Sequence, residues 1–117
     1  MDTSLKGKTA VLSGCGAGLG LAIARALARE GADIVAGDID KTALAHAAKA
    51  AAERGARMVG QHTDIRSGTD CKALVDLAMA EFRRVDILIN DAFLAETPGK
   101  FEDAALAKWR AVADVNL

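Results

Sequence analysis

The sequence predicts an α/β fold in which helices cover both faces of a parallel, doubly wound sheet. Three observations lead to this prediction. Short β-prone runs alternate with helical patterns that are long enough to cross over between parallel strands. A glycine cluster joins the first β-prone run to the first helical pattern, at the tightest turn of such a fold. The run Ile87–Ile89 is apolar without alternation, which is typical of a strand covered on both faces.

The first two strand and helix pairs follow from composition and spacing. Thr9–Ser13 is rich in β-prone apolar residues and predicts the first strand. Apolar residues recur every three or four positions over Leu19–Glu30, which predicts a helix that the next glycine ends. Asp33–Gly37 predicts the second strand. The alanine-rich stretch Lys41–Arg54 predicts the second helix, with Asp40 as its N-cap.

The second half of the chain repeats this plan. Arg57–His62 predicts the third strand, and Thr69–Arg83 predicts the third helix. Asp86–Asn90 predicts the fourth strand. The last helix, Phe101–Leu117, contains neither Gly nor Pro to end it, so we expect a chain interrupted within an element. Right-handed crossovers predict a parallel sheet, half of a Rossmann-like doubly wound fold in a single domain of residues 1–117. The strand order expected for this half-fold is 3-2-1-4.

Composition and charge exclude several classes of function. The 117 residues include 15 Lys and Arg and 16 Asp and Glu, so the formal charge is -1 and a nucleic-acid surface is not expected. Cys15 and Cys71 have no metal-ligand or disulfide spacing, and we expect no metal site. No apolar run is long enough to span a membrane, and the N-terminus has no signal pattern. These features predict a cytoplasmic protein.

The glycine cluster is the first candidate site. Ser13–Gly20 has the spacing G-x-x-x-G-x-G between a strand and a helix. Gly14 permits the tight turn, Gly18 lets the backbone approach a pyrophosphate, and Gly20 allows the helix to pack closely on the strand. The N–H groups at the start of the helix then face an anion. We expect Cys15 to fill this tight loop as a small side chain.

Asp38, at the end of the second strand, indicates which nucleotide the loop would hold. A carboxylate at that place can accept hydrogen bonds from both ribose hydroxyls of an adenosine. The same charge repels a 2′-phosphate, and no Arg follows Asp38 to bind one. The sequence therefore predicts NAD as the cofactor in preference to NADP.

Four motifs in order resemble those of the short-chain dehydrogenases and reductases. Ser13–Gly20 resembles the family's Thr-Gly-x-x-x-Gly-x-Gly loop, and Asp64 with Ile65 is similar to its adenine-binding segment. Asn90–Phe93 resembles its Asn-Asn-Ala-Gly stretch. Val115–Leu117 resembles the segment that contains the family's catalytic Asn. The resemblance covers all 117 residues.

The resemblance implies hydride transfer between a nicotinamide and an alcohol or carbonyl. It implies one catalytic position on this chain, Asn116. The cofactor-binding positions that it implies all lie at or after the end of a predicted strand: Ser13, Gly14, Gly18, Leu19, Gly20, Asp38, Ile39, Asp64, Ile65, Asn90 and Ala92.

Some positions depart from the family's pattern. Ser13 replaces Thr and keeps the hydroxyl, whereas Asp91 replaces an Asn. Phe93 replaces a Gly and puts a large side chain where the family's backbone lies close to the cofactor. The family's Ser and Tyr-x-x-x-Lys have no counterpart, and the chain contains no Tyr. We therefore expect these residues to form a cofactor-binding half that is inactive alone, with a small-molecule substrate only when a C-terminal half is present.

Two alternatives remain open at this point. Gly14–Gly18 also resembles the G-x-G-x-G loop of S-adenosylmethionine-dependent methyltransferases, although the acidic residue before that loop is missing. A non-catalytic nucleotide-binding or dimerising module would share the loop and need no Tyr. In each case an unpaired fourth strand and the apolar residues Leu106, Trp109 and Val112 of the last helix predict a homo-oligomer.

Overall fold

A computed structural model describes residues 3–94, 100–103 and 105–117. Within these ranges the chain forms one parallel sheet with the strand order β3-β2-β1-β4, which confirms the predicted topology. The strands are β1 (Thr9–Ser13), β2 (Asp33–Asp38), β3 (Met58–His62) and β4 (Ile87–Asn90). The helices are α1 (Gly18–Arg29), α2 (Lys41–Ala52), α3 (Gly68–Phe82) and α4 (Leu106–Asn116).

Helices pack on both faces of the sheet because successive residues of β1 and β2 point in opposite directions. Leu12 and Ile34 belong to the apolar cluster formed with α1 and α2. Val11 and Val35 belong to a second cluster, formed with Leu74 and Ala78 of α3. The two central strands are therefore buried on both faces, as a doubly wound sheet requires.

The predicted burial of the fourth strand is wrong on one face. Ile87 and Ile89 pack against the cluster formed with α1 and α2. Leu88 points the other way and has an exposed fraction of 62%. The apolar run therefore marks a strand that only one layer of helices covers among the described residues.

The predicted last helix is also shorter than expected. Residues Phe101–Asp103 form a single 3-10 turn, and α4 begins only at Leu106. Ala105 between them is extended, with φ -66° and ψ 138°, so the helical hydrogen bonds cannot run through it. The sequence carries no signal for this break, because Ala105 is a strong helix former and neither Gly nor Pro stands there.

Two polar side chains begin helices next to the carboxyl edge of the sheet. Asp40 accepts hydrogen bonds from the N–H groups of Thr42 and Ala43, at 2.9 and 3.1 Å, which confirms it as the N-cap of α2. Ser67 caps α3 in the same way, through the N–H of Asp70 at 3.1 Å. Both helices therefore start at fixed positions beside the ends of β2 and β3.

Asp86 anchors the opposite edge of the sheet. Its carboxylate accepts from the N–H of Thr9, a residue only 1% exposed, at 2.9 Å. It also accepts from Arg84 through Nε at 2.7 Å and Nη2 at 2.6 Å, and Lys8 lies 3.8 Å away. The Arg84 hydrogen bond, followed by that of Thr9, lowers the pKa of Asp86 to about 2.

This lowered pKa predicts an acid-dependent contribution to stability. The unfolded chain takes up the proton near its ordinary pKa of about 3.9, so the stabilisation is complete above that pH and is lost as the pH falls toward the folded-state pKa. We expect Asp86→Asn to be less stable than the wild type at neutral pH, with a difference that shrinks between about pH 4 and pH 2. Urea unfolding at a series of pH values measures it. If the difference in stability between the two proteins stayed constant from about pH 4 to about pH 2, the lowered pKa would not belong to Asp86.

Candidate functional site

A cleft of about 440 Å³ opens at the carboxyl edge of the sheet. The segments that follow β1, β2, β3 and β4 all contribute to it, and Val115 of α4 also lines it. Six of the predicted cofactor-binding residues line it: Gly14, Asp38, Ile39, Asp64, Ile65 and Ala92. The structure thus brings together residues that are far apart in the sequence.

The other predicted residues lie beside the cleft and do not line it. Ser13 and Asn90 are paired with each other as the last residues of β1 and β4. Gly18, Leu19 and Gly20 form the first turn of α1. The sixth, Asn116, is the last residue of α4.

The geometry around Gly14, Gly18 and Gly20 differs from one glycine of the loop to the next. Gly14 has φ +80°, and a Cβ added there would lie 2.7 Å from the backbone N and Cα of Ala92. A Cβ on Gly20 would lie 1.8 Å from the carbonyl oxygen of Gly14, so the helix rests directly on the loop. Gly18 has φ +54° and no atom within 4 Å of an added Cβ. The loop is therefore tight below the helix and open at Gly18.

The first-turn N–H groups of α1 donate no hydrogen bond to a capping side chain. Its N-cap, Ala17, is extended and has no side chain that could accept a hydrogen bond from the first turn. Ala17 also lines the cleft. Backbone N–H groups and the helix dipole at such an end favour an anion.

Asp38 holds the glycine loop in place. Its Oδ2 accepts from the N–H groups of Cys15 and Gly16, each at 3.1 Å, and its Oδ1 accepts from the N–H of Asp40 at 3.0 Å. The end of β2 is therefore fastened to the loop that follows β1. This second role of Asp38 was not predicted from the sequence.

Cys15 is buried within the same loop. Its side chain has no exposed surface, and burial, with a smaller effect of the Asp38 charge, raises the pKa of the thiol to about 11. A neutral, inaccessible thiol is a poor nucleophile. The structure agrees with the expectation that Cys15 fills space.

Arg66 engages the carboxylate of Asp64. Its Nη2 donates to Oδ2 at 2.7 Å, and its Nε donates to Oδ1 at 3.0 Å. These hydrogen bonds lower the pKa of Asp64 to about 2, so the carboxylate is ionised throughout the neutral range. Arg66 lines the cleft and was missed, although its position two residues after Asp64 was a signal for such a pair.

Asn116 pairs with the backbone beyond β4. Its Oδ1 accepts from the N–H of Leu94 at 2.8 Å, and its Nδ2 donates to the carbonyl oxygen of Leu94 at 3.0 Å. The amide side chain therefore fastens the end of α4 to a segment of the cleft wall. In the described structure Asn116 positions this wall.

Several further residues of the cleft were not predicted as site residues. Phe93 has an exposed fraction of 72% at the cleft, and Asp91 lies two residues before it. The sequence had marked both only as departures from a motif. The remaining lining residues that the sequence did not predict are Ala17, Gly37, Thr63, Arg66, Leu94 and Val115.

Metal-binding and membrane-spanning features are not found in the described part of the chain. Within residues 3–94, 100–103 and 105–117 there is no group of three or more His, Cys, Asp or Glu side chains that could hold a metal ion. In those same ranges no helix has the length and apolar character needed to cross a lipid bilayer.

The chain is similar to dehydrogenases from several bacteria. It is 34% identical to cis-4-hydroxycyclohexanecarboxylate dehydrogenase of Sinomonas cyclohexanicum, over 100% of this chain and 47% of that protein. It is 38% identical to D-threitol dehydrogenase of Mycolicibacterium smegmatis, over 99% of this chain and 44% of that protein. A short-chain dehydrogenase/reductase from Burkholderia phymatum, solved in complex with NAD, matches with a TM-score of 0.91 and 33% identity, over 97% of this chain and 40% of that one.

These matches run along nearly the whole chain. The chain spans about half the length of the curated relatives it matches. The family model described as short chain dehydrogenase matches residues 8–117, a range that holds all four motifs of the sequence and every strand of the sheet. This chain therefore belongs to the short-chain dehydrogenase family.

Proposed function

We propose that the protein is an NAD-dependent oxidoreductase that transfers hydride between a nicotinamide and an alcohol or carbonyl. In this proposal residues 1–117 form one domain, the cofactor-binding half. The observation that carries it is the Asp38 carboxylate, which lines the cleft beside a glycine loop and an uncapped helix start. The relatives named above are dehydrogenases of a hydroxy acid and of a sugar alcohol, which supports this class of substrate.

The geometry of the cleft fits a dinucleotide. The open space at Gly18 leaves room for a pyrophosphate against the first turn of α1, whose N–H groups would bind it. Asp38 would accept hydrogen bonds from the adenosine ribose, and Asp64 and Ile65 would lie against the adenine. When bound, NAD supplies the hydride acceptor for alcohol oxidation.

The chain's own contribution is binding and positioning. Asn116 would hold the segment after β4 in place through Leu94. The resemblance assigns proton transfer to a tyrosine, and the 117 residues contain none. We therefore assign to this chain the orientation of the cofactor and not the proton transfer.

We further propose a homo-oligomer in the cytoplasm. The open face of β4, with Leu88, and the exposed Leu106 of α4 present apolar surface that a second copy could cover. The two cysteines are both unpaired, which supports a reducing compartment. Membership of the dehydrogenase family gives no support to the methyltransferase or non-catalytic alternatives.

Titration calorimetry with NAD, NADP and S-adenosylmethionine tests the proposed cofactor. We expect NAD to bind at least about tenfold more tightly than NADP, because a 2′-phosphate would be placed next to the Asp38 carboxylate. We expect no heat of binding with S-adenosylmethionine. Equal or tighter binding of NADP would contradict the role of Asp38, and absence of NAD binding would contradict the proposed function.

A further inference from the structure

We propose that Asp91 is a specificity-determining residue of the cleft, because its carboxylate weakens the binding of ligands that place negative charge at the start of α1. The inference rests on the proposed nucleotide-binding function. It concerns a residue at which this chain departs from the Asn-Asn-Ala-Gly stretch of its family.

The backbone fixes where the Asp91 side chain begins. The N–H of Asp91 donates to the carbonyl oxygen of Ser13 at 3.0 Å, which continues the pairing of β4 with β1 by one residue. The Asp91 carboxylate then lies beneath α1. Its Oδ2 is 2.6 Å from the point that a Cβ on Gly20, the third residue of the helix, would occupy.

The charges of the cleft single out Asp91. Among the described residues, the charged side chains that line the cleft are three carboxylates and one guanidinium: Asp38, Asp64, Asp91 and Arg66. Backbone N–H groups donate to both oxygens of Asp38, and Arg66 forms an ion pair with Asp64. No hydrogen bond or ion pair to the Asp91 carboxylate is found within the part of the chain that is described.

Asp91 therefore competes with an anionic ligand for the same helix end. The positive end of a helix stabilises one nearby negative charge, and here a carboxylate of the protein is already in place. A pyrophosphate that binds to the first-turn N–H groups must approach this carboxylate, and repulsion between like charges grows with the number of phosphate charges. An asparagine has the same shape and would remove the repulsion.

The test compares Asp91→Asn with the wild type for three ligands of increasing charge: adenosine, NAD and ADP. We expect Asp91→Asn to bind NAD and ADP about three- to tenfold more tightly, with the larger gain for ADP, and to bind adenosine unchanged. Asp76→Asn is the matched control, because it removes the same charge from the exposed side of α3 and is expected to change none of the three affinities. Titration calorimetry gives the dissociation constants.

The possible results separate the role of Asp91 from the proposed NAD-binding function. If Asp91→Asn binds NAD and ADP no more tightly than the wild type does, the inference is overturned and the proposed function still stands. An equal gain for adenosine and ADP would also overturn it, because the effect would then be one of packing and not of charge. If Asp91→Asn fails to fold by circular dichroism, Asp91→Ser removes the charge with a smaller side chain and is held to the same expectations. If neither the wild type nor the variants bind adenosine, NAD or ADP, both the proposed function and the inference are overturned.

Discussion

Replacing Gly20 with alanine is expected to abolish measurable NAD binding and to lower the free energy of unfolding by about 3 kcal/mol. The added Cβ would lie 1.8 Å from the carbonyl oxygen of Gly14 and 2.8 Å from its carbonyl carbon. Both are backbone atoms of a loop that Asp38 holds in place, so no side-chain rotation relieves the overlap. The start of α1 must move away from the loop, and its first-turn N–H groups move with it.

Gly68→Ala is the matched control for this substitution. Gly68 is also in the first turn of a helix, α3, but an added Cβ there meets no atom within 4 Å and its φ is not positive. We expect this variant to bind NAD like the wild type and to be at least as stable, because alanine favours the helix. Urea unfolding and titration calorimetry measure both variants. If Gly20→Ala matched Gly68→Ala in both measurements, the close contact between loop and helix would not be required for binding.

The fold could be predicted largely because each element carried a local signal. β1 has the predicted bounds Thr9–Ser13, and β2 extends the prediction by one residue, to Asp38. The alternation of strands and helices, with a glycine turn after the first strand, predicted a doubly wound fold, and the strand order was the one expected of that fold. The break at Ala105 and the open face at Leu88 have no such signal, because each depends on what packs around an ordinary apolar residue.

The cleft could be predicted only in part for the same reason. Residues that stand at strand ends, such as Asp38 and Ile65, reach the cleft because parallel strands all end at one edge of the sheet. Their partners are set by tertiary structure. The amide of Asn116 pairs with Leu94 across 22 positions of sequence, and nothing in either local sequence indicates it. The multiple hydrogen bonds of Asp38 likewise depend on how closely the loop approaches β2.

The second large effect is expected at Asp38. The variant Asp38→Asn should bind NAD at least about tenfold more weakly, a loss of about 1.4 kcal/mol in binding free energy. It should also show a smaller preference for NAD over NADP. An amide has one acceptor oxygen, whereas this carboxylate uses Oδ2 for Cys15 and Gly16 and Oδ1 for Asp40. Either orientation of the amide therefore places an NH₂ group against a backbone N–H. The variant also loses the charge that would repel a 2′-phosphate.

Asp40→Asn separates this local role from a general effect of charge. Asp40 lies two residues away and caps α2 through Oδ1 alone, so the oxygen of an asparagine can keep both of its hydrogen bonds. The change removes one negative charge from the same turn, as Asp38→Asn does. We expect its NAD affinity to stay within about twofold of the wild type, since an exposed charge is screened by solvent. Equal losses in the two variants would show that NAD responds to the charge of the turn as a whole, and the assignment of the ribose to Asp38 would then be wrong.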